Sequence, residues 1–462
     1  MTELKAEEYI IRDLFTDGRA VAVPLEGGKL EFLAGPVPGD RLALNPESGE
    51  VEYLELSPAR QPSFCGYYPS CGGCSVQQLK YPALLALKKA QLEHLFPEAK
   101  VKFYPSSEAS AFAYRKKFFW HYDQGSFGLL RRGSHQLIEI QDCPLASKAL
   151  QAATKIFQEY LRRDYGQLGL HLRQGRGVEL SFLLVLDENR LKLEANGKRG
   201  IFLADLKSLG QVGQALAEIA AAFKAEGLDL KLSGINLRAK TKAGENLGPR
   251  TFLLPELNKL HEFSLAEPFS ARDFADLLLT ETVLDRQFKI LPGAFFQVNP
   301  QLFAASVEAA RSQLGKVESA LDLYCGTGAW GLSVLPRSCR YFGLDIDPLS
   351  LETTALNAAF NGFTSYSCER LNLKRKSLDI APVDLVLLDP PRAGLSPAVT
   401  KALSNSSVSK IFYLSCHAAT LARDLKNLAS HFKLEYLSGF DYFPWTMGYE
   451  SLALLSRVDA EE

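Results

Sequence analysis

Ala320-Leu321-Asp322-Leu323-Tyr324-Cys325-Gly326-Thr327-Gly328 is the stretch that decides the fold. Its first five residues read as a buried strand, and the glycines that follow let the backbone approach a ligand before a helix begins. The next apolar run is Tyr341-Phe342-Gly343-Leu344-Asp345, whose following helix carries Asn357 and Asn361. A weaker strand lies near 365–369, then come Val383–Asp389 and Lys410–Ser415, with two more expected over Lys433–Asp441 and Tyr449–Arg457. Strand alternating with helix implies a parallel α/β sheet, Rossmann-like in kind. In such sheets ligands bind beyond the carboxyl ends of the strands.

Four residue sets fall at such ends. Gly326 and Gly328 frame the first. Asp345, ending the second strand, is placed to accept hydrogen bonds from a ribose diol. One glycine loop and one acid would suit a dinucleotide equally well. The loop lacks the third glycine of that fingerprint, however, and Asp322-x-x-x-Gly326-x-Gly328 is a common pattern in S-adenosylmethionine sites. The third set is Asp389-Pro390-Pro391-Arg392-Ala393-Gly394, where two prolines remove two backbone donors and stiffen the turn after the acid. The fourth is Cys416, between the apolar run Ile411-Phe412-Tyr413-Leu414 and a helix whose first turns carry Thr420, Arg423 and Asp424. At a helix amino end the dipole and free N–H groups favour a thiolate.

Outward from this region, 462 residues are too many for one ordinary domain, so a multidomain chain is expected. With 47% hydrophobic and 23% charged residues the chain can bury cores throughout. No apolar run is long enough to span a membrane, and Met1–Glu8 lacks the pattern of a signal peptide, so a cytoplasmic protein is expected. A net charge of −1 and a pI near 6.7 do not advertise nucleic-acid binding. Local basic clusters matter more: Arg115-Lys116-Lys117, Arg131-Arg132, Arg173 with Arg176, and Lys374-Arg375-Lys376.

Residues 8–58 read as a small OB-like β-barrel. Tyr9–Ile11, Ala20–Val23 and Lys29–Leu33 are separated by Asp17-Gly18, Gly27-Gly28 and Pro38-Gly39-Asp40. Next comes Cys65-Gly-Tyr-Tyr-Pro-Ser-Cys71-Gly-Gly-Cys74, with Cys143 further on in Gln141-Asp142-Cys143-Pro144. A clustered set in a cytoplasmic chain argues for metal, and four thiolates suit either zinc or an iron–sulfur cluster. A tight triplet plus one distant ligand leans toward the cluster. Up to about residue 290 the pattern is mixed α+β: helices over Ala83–Leu95 and Ala146–Arg163, strands over Lys117–His121, Gln136–Ile140 and Val178–Leu186.

Residues 8–58 resemble the TRAM domain of RNA-modifying enzymes, chiefly through Asp17-Gly18 and Pro38-Gly39-Asp40. The whole chain resembles the S-adenosylmethionine-dependent RNA uracil-5-methyltransferases. Motifs match in order: the cysteine triplet with Cys143, Phe295-Phe296-Gln297-Val298-Asn299, Asp322–Gly328, Asp389–Gly394, Ser415-Cys416 and Glu450. The 23S rRNA branch, with its TRAM domain and 4Fe-4S cluster, is the most similar. The resemblance implies a nucleophile at Cys416 and a base at Glu450. It implies S-adenosylmethionine contacts at Gln297, Tyr324, Gly326, Gly328, Asp345, Asn372 and Asp389, and a cluster on Cys65, Cys71, Cys74 and Cys143. It divides the chain into residues 1–60 (RNA-binding barrel), 61–285 (central domain) and 286–462 (catalytic domain), with RNA as partner and a monomer expected. Three departures stand out: Ala329-Trp330 where relatives have a polar residue, His417 in place of asparagine, and Trp445 and Gly448 where relatives carry histidines. Other readings are a transfer-RNA uracil-5-methyltransferase, an amino-group methyltransferase, which needs no Cys416, and a non-catalytic RNA-binding factor.

Overall fold

The computed structural model describes residues 7–123, 126–148, 150–151, 154–155, 168–174, 178–184, 225, 235–240, 246–256, 259–263, 279–290, 294–374 and 378–458. The chain divides into two compact units. The first comprises Met1–Ala111, Pro391–Gly394 and Tyr413–Glu462; the second comprises Phe112–Pro390 and Leu395–Phe412.

In the first unit the chain opens with β1 (Glu7–Leu14), β2 (Ala20–Pro24), β3 (Glu31–Leu33), β4 (Arg41–Leu44) and β5 (Val51–Glu55). These form a five-stranded sheet in the order β3-β2-β1-β4-β5, with every pairing antiparallel. The punctuation read from the sequence is structural. Gly18 and Gly39 take positive φ, and the buried Asp40 carboxylate accepts from Val37 N (2.7 Å), Ser57 N (2.9 Å) and Arg60. Helix α1 (Tyr81–Leu95) follows the cysteine triplet, and β6 (Val101–Tyr104) follows the helix.

The second unit holds an antiparallel-rich sheet of β7 (Lys117–Asp123), β8 (Ser126–Leu130), β9 (Leu137–Glu139), β10 (Leu168–Gln174), β11 (Val178–Leu184), β12 (Ile235–Lys240), β13 (Asn246–Glu256) and β14 (Lys259–Phe263). The helix expected over Ala146–Arg163 lies largely outside the described residues, as do Arg176, Arg375 and Lys376. A hairpin of β15 (Leu279–Val283) and β16 (Arg286–Ile290) leads to α2 (Pro300–Gln313).

Then come β17 (Ser319–Leu323), α3 (Ala329–Val334), β18 (Arg340–Asp345), α4 (Pro348–Phe360), β19 (Tyr366–Arg370), β20 (Leu385–Leu388) and α5 (Pro397–Asn405). The strands lie in the order β19-β18-β17-β20, all parallel, so the order reverses between β17 and β20. At that reversal the two crossovers leave on opposite sides and open a crevice beyond the strand ends. β17 and β20 are buried on both faces, which is why they read as apolar runs.

Strand β21 (Lys410–Ser415) carries the chain from the second unit into the first. There α6 (Ala418–Leu428), β22 (Phe432–Phe440) and β23 (Glu450–Arg457) complete the described chain. β22 pairs antiparallel with β23 and parallel with β6, so a strand from far earlier in the sequence closes this part of a mixed sheet. Among the described residues no helix is long and apolar enough to cross a membrane.

Candidate active site

Apart from Gln297, which lies in the loop before α2, the cofactor residues expected in the second unit sit at or just beyond the carboxyl ends of the parallel strands. After β17, Tyr324 turns the chain at φ 64°, and Gly326 and Gly328 follow at 55° and 74°. A non-glycine residue there costs on the order of 1 kcal/mol or more, so its surroundings must hold it. Tyr324 N and Cys325 N both donate to Leu344 O (2.9 and 3.1 Å). From α4, Thr354 Oγ1 donates to Gly326 O (2.7 Å) and Asn357 Nδ2 to Thr327 O (3.1 Å). At Gly328 a Cβ would meet Leu332 Cδ1 at 2.7 Å, so glycine is required by space as well as by φ.

Asp345 Oδ2 accepts from Gly326 N (2.9 Å) and Oδ1 from Asp347 N (2.9 Å). Each oxygen keeps a further lone pair, the arrangement that can take both hydroxyls of a ribose. Asp322 sits fully buried behind the loop, its Oδ2 receiving Tyr341 OH (2.8 Å). Burial, with the charges of Asp389 and Asp345, pushes its carboxyl up to about 8 against the opposing Tyr341 bond. Asp389, half-buried at the end of β20, is pushed up to about 7 by burial and then by the Asp345 charge.

Gln297 is half-buried beside buried Phe296, and Phe295 is exposed with Lys117 Nζ 5.6 Å from its ring centroid. Asn372 is half-buried and uses its side-chain oxygen to accept from Lys374 N (3.1 Å), closing its own turn. The Ala329-Trp330 departure is a packing feature: both side chains are buried, and Trp330 lies against Phe303 of α2 at 6.5 Å.

The first unit holds the other half of the expected chemistry. Cys416 is half-buried between β21 and α6. His417 is the helix N-cap, its Nδ1 accepting from Thr420 N at 3.3 Å. Burial, with Arg392 and Arg423 nearby, lowers its pKa and keeps the ring neutral, as an acceptor must be. The imidazole thus does a capping job that an asparagine side chain also does well.

Helix α6 grips the turn after the paired prolines. Thr420 Oγ1 donates to Arg392 O (3.2 Å) and Arg423 Nη2 to Ala393 O (2.8 Å). Asp424 holds the arginine through Nε (2.9 Å) and takes Tyr413 OH (2.8 Å). Any Cβ at Gly394 would lie 2.3 Å from Asp424 Oδ2.

Glu450 opens β23 opposite Phe440 and is buried. The preceding loop is fixed by Lys88 of α1, fully buried, whose Nζ reaches the Asp441 carboxylate (2.5 Å), Phe443 O (3.1 Å) and Gly448 O (2.9 Å). Tyr81 OH also donates to Asp441. Sequence reading named Arg423 and Asp424 without the clamp they form, and it missed the Lys88 network. The only signal was a lysine on the apolar side of α1.

Of the four expected metal ligands, Cys65, Cys71 and Cys74 lie in the first unit and Cys143 in the second. All four are free of disulfides and half-buried, and Gly73 N donates to Cys71 Sγ at 3.4 Å. Among the described residues no group of three or more His, Cys, Asp and Glu side chains is gathered to hold a metal ion.

Residues 271–458 match the model of the tRNA (uracil-5-)-methyltransferase family. The chain is similar to the RNA uracil-5-methyltransferases over these residues. This methyltransferase is 28% identical to a 23S rRNA (uracil(1939)-C(5))-methyltransferase of Chromohalobacter salexigens, over 98% of its own length and 90% of the relative's. An uncharacterized RNA methyltransferase of Listeria innocua is 26% identical, with 92% of each chain covered. In fold, the methyltransferase resembles the tRNA (uracil-54, C5)-methyltransferase of Pyrococcus abyssi, with a TM-score of 0.66, 22% identity, and 97% and 100% of the two chains covered.

Proposed function

We propose that this methyltransferase transfers a methyl group from S-adenosylmethionine to C5 of a uridine in RNA through a covalent adduct on Cys416. The observation that carries the reading is the placing of Cys416: half-buried, at a strand end, on the amino end of α6. Uracil C5 is a weak nucleophile. Addition of the Cys416 thiolate to C6 moves electron density onto O4 as an enolate and makes C5 reactive. The bound cofactor supplies an electrophilic methyl group.

Asp389 supports this chemistry because a carboxyl that holds its proton near neutrality can donate to the carbonyl that gains charge. Pro390 and Pro391 follow Asp389 directly and stiffen the chain beside it. After methylation, Glu450 takes the C5 proton, the enolate re-forms, and the C6–S bond breaks to release the thiolate. Tyr324, Gly326, Gly328, Asp345 and Gln297 would hold the cofactor. The two half-used oxygens of Asp345 suit its ribose.

The target is 23S rRNA, a choice supported by the Chromohalobacter relative; the match to the tRNA (uracil-5-)-methyltransferase family favours transfer RNA as the second reading. Residues 1–60 would act as a TRAM-like barrel engaging RNA in the cytoplasm. Exposed Phe15 and Phe32 meet edge to face at 4.9 Å, and Arg19 and Arg60 lie over Phe32 and Tyr53. Aromatic and arginine planes of this kind stack on unpaired bases. Cys65, Cys71, Cys74 and Cys143 would hold a 4Fe-4S cluster, supported by their standing outside any disulfide and by the Gly73 N–H directed at Cys71 sulfur. Brown anaerobic protein is expected; colourless protein with stoichiometric zinc would contradict it.

The deciding experiment is to incubate the protein with total RNA from a strain lacking its gene and map 5-methyluridine. Wild type should restore one site, and Cys416→Ala should give neither product nor adduct. Normal turnover by Cys416→Ala would end the covalent mechanism.

A further inference from the structure

The loop Asp441–Tyr449 leads directly into Glu450, and the segment bearing the cysteine triplet holds it. Trp445 is its centre. Its carbonyl accepts from Ser75 N (3.1 Å) and Val76 N (3.0 Å), and two residues on, Met447 N donates to Ser75 Oγ (3.1 Å). The indole meets Phe64 edge to face at 4.8 Å, leans on Tyr81 at 4.9 Å, and donates through Nε1 to Ala111 O (3.2 Å). Phe64 immediately precedes Cys65, and Ser75 immediately follows Cys74. Both ends of the cysteine loop therefore rest on one side chain and its carbonyl.

Trp445 is also 1% exposed and sits at φ 63°, a conformation that a bulky residue keeps only when its surroundings over-determine it. From the other side, Lys88 bonds Phe443 O and Gly448 O, bracketing the six-residue stretch that contains Trp445. Between these two supports the chain has no slack before Glu450.

We propose that Trp445 is a positioning residue: it couples the Cys65–Cys74 loop to Glu450, so that a disturbance of the cysteine loop slows removal of the C5 proton and leaves cofactor binding unchanged. The inference rests on the reading of Glu450 as the base. The proposed cofactor residues belong to the second unit and share none of these bonds. The effect of loosening Trp445 is thus confined to the late step.

The test uses the full-length protein with excess S-adenosylmethionine and total RNA from a strain lacking the gene. It compares wild type, Trp445→Phe, Ser75→Ala and Glu450→Gln. Trp445→Phe removes the Ala111 bond and part of the ring contact; Ser75→Ala removes only the acceptor for Met447 N and reports even where the tryptophan variant folds poorly. The denaturation-resistant, already methylated protein–RNA adduct should live roughly ten- to hundredfold longer in both, the range expected from about 1 Å of misplacement. S-adenosylmethionine affinity should stay within about twofold of wild type, since no cofactor contact changes. Coupling is reciprocal. Iodoacetamide should therefore label Cys65, Cys71 and Cys74 faster in Trp445→Phe than in wild type.

Wild-type adduct lifetimes in both variants, or unchanged labelling, overturn the coupling while a long-lived adduct in Glu450→Gln leaves the base in place. If Glu450→Gln itself clears the adduct at the wild-type rate, the base assignment falls first and the coupling with it.

Discussion

Asp345 in the second unit and Glu450 in the first both stand at strand ends, yet they are held by different means. Asp345 is fixed by backbone N–H groups from residues 19 positions before it and two after it. The loop beside it is fixed by Thr354 and Asn357 of the next helix. Nearly every support lies within one strand–helix–strand repeat. The approach to Glu450 is fixed instead by Lys88, Tyr81, Ser75 and Ala111, partners more than 330 residues away in sequence. The proposed cofactor cradle can be built locally because strand ends present it. The proposed base, Glu450, is braced by side chains imported from another part of the chain.

The largest expected effect on this contrast comes from the imported brace. Lys88→Met leaves the Asp441 carboxylate buried without its cation, and removing one partner of a buried pair costs about 3–5 kcal/mol. Urea unfolding measures it. Lys88→Met with Asp441→Asn should recover most of the loss. A single-variant loss below about 1 kcal/mol would show that the brace is not a stabilising element, against the range for buried pairs.

A smaller effect belongs to the local cradle. In the folded chain Asp322 holds its proton up to about pH 8, whereas unfolded it ionises near 3.8. Between those values the folded state binds more protons, so the protein loses stability as pH rises from about 4 to about 8. Asp322→Asn removes that dependence. The wild-type difference in unfolding free energy between pH 5 and pH 8 should shrink by on the order of a few kcal/mol in the variant. An unchanged difference would place the titration elsewhere.

The smallest effect tests the helix cap beside Cys416. His417 has a lowered pKa, so below its ordinary value of 6.5 the unfolded chain takes up the proton first. The stability it contributes is therefore present above pH 6.5 and lost as pH falls below it. At pH 8 His417→Ala should cost about 1 kcal/mol, the usual value of a cap, while His417→Asn should cost little. Below pH 6 His417→Asn should unfold less readily than wild type in thermal scans. A reversed order would remove His417 from the capping role.

The same contrast explains what could be read from the sequence. Lys410–Ser415 was expected as a strand and is β21 with the same bounds; Lys433–Asp441 is offset from β22 by one residue at both ends, and Tyr449–Arg457 from β23 by one residue at its start. Those segments are legible because buried strands announce themselves as apolar runs, and the acids and glycines at their ends are spaced by local geometry. Trp445 and Asp441 carry no such signal. A tryptophan in a proline-containing loop and an acid after a strand are ordinary in sequence. Their role exists only once Phe64, Ser75 and Lys88 are folded against them. The parallel partnership of β6 with β22 was hidden for the same reason: four residues, Val101–Tyr104, are too few to show which distant strand they join.

The hairpin β15–β16 has a consequence of another kind. Asn357 exchanges two hydrogen bonds with Lys289 (2.7 and 3.0 Å), and Asn361 exchanges two with Gln287 (3.1 and 2.7 Å). Two carboxamides one helical turn apart thus stand in for a neighbouring strand, occupying the N–H and C=O groups of alternate residues. A row of such groups left open would be a template for a foreign strand. Helix α4 therefore shields this border of the hairpin from pairing with other chains, and changing Asn357 and Asn361 together would convert a quiet border into a site of self-association.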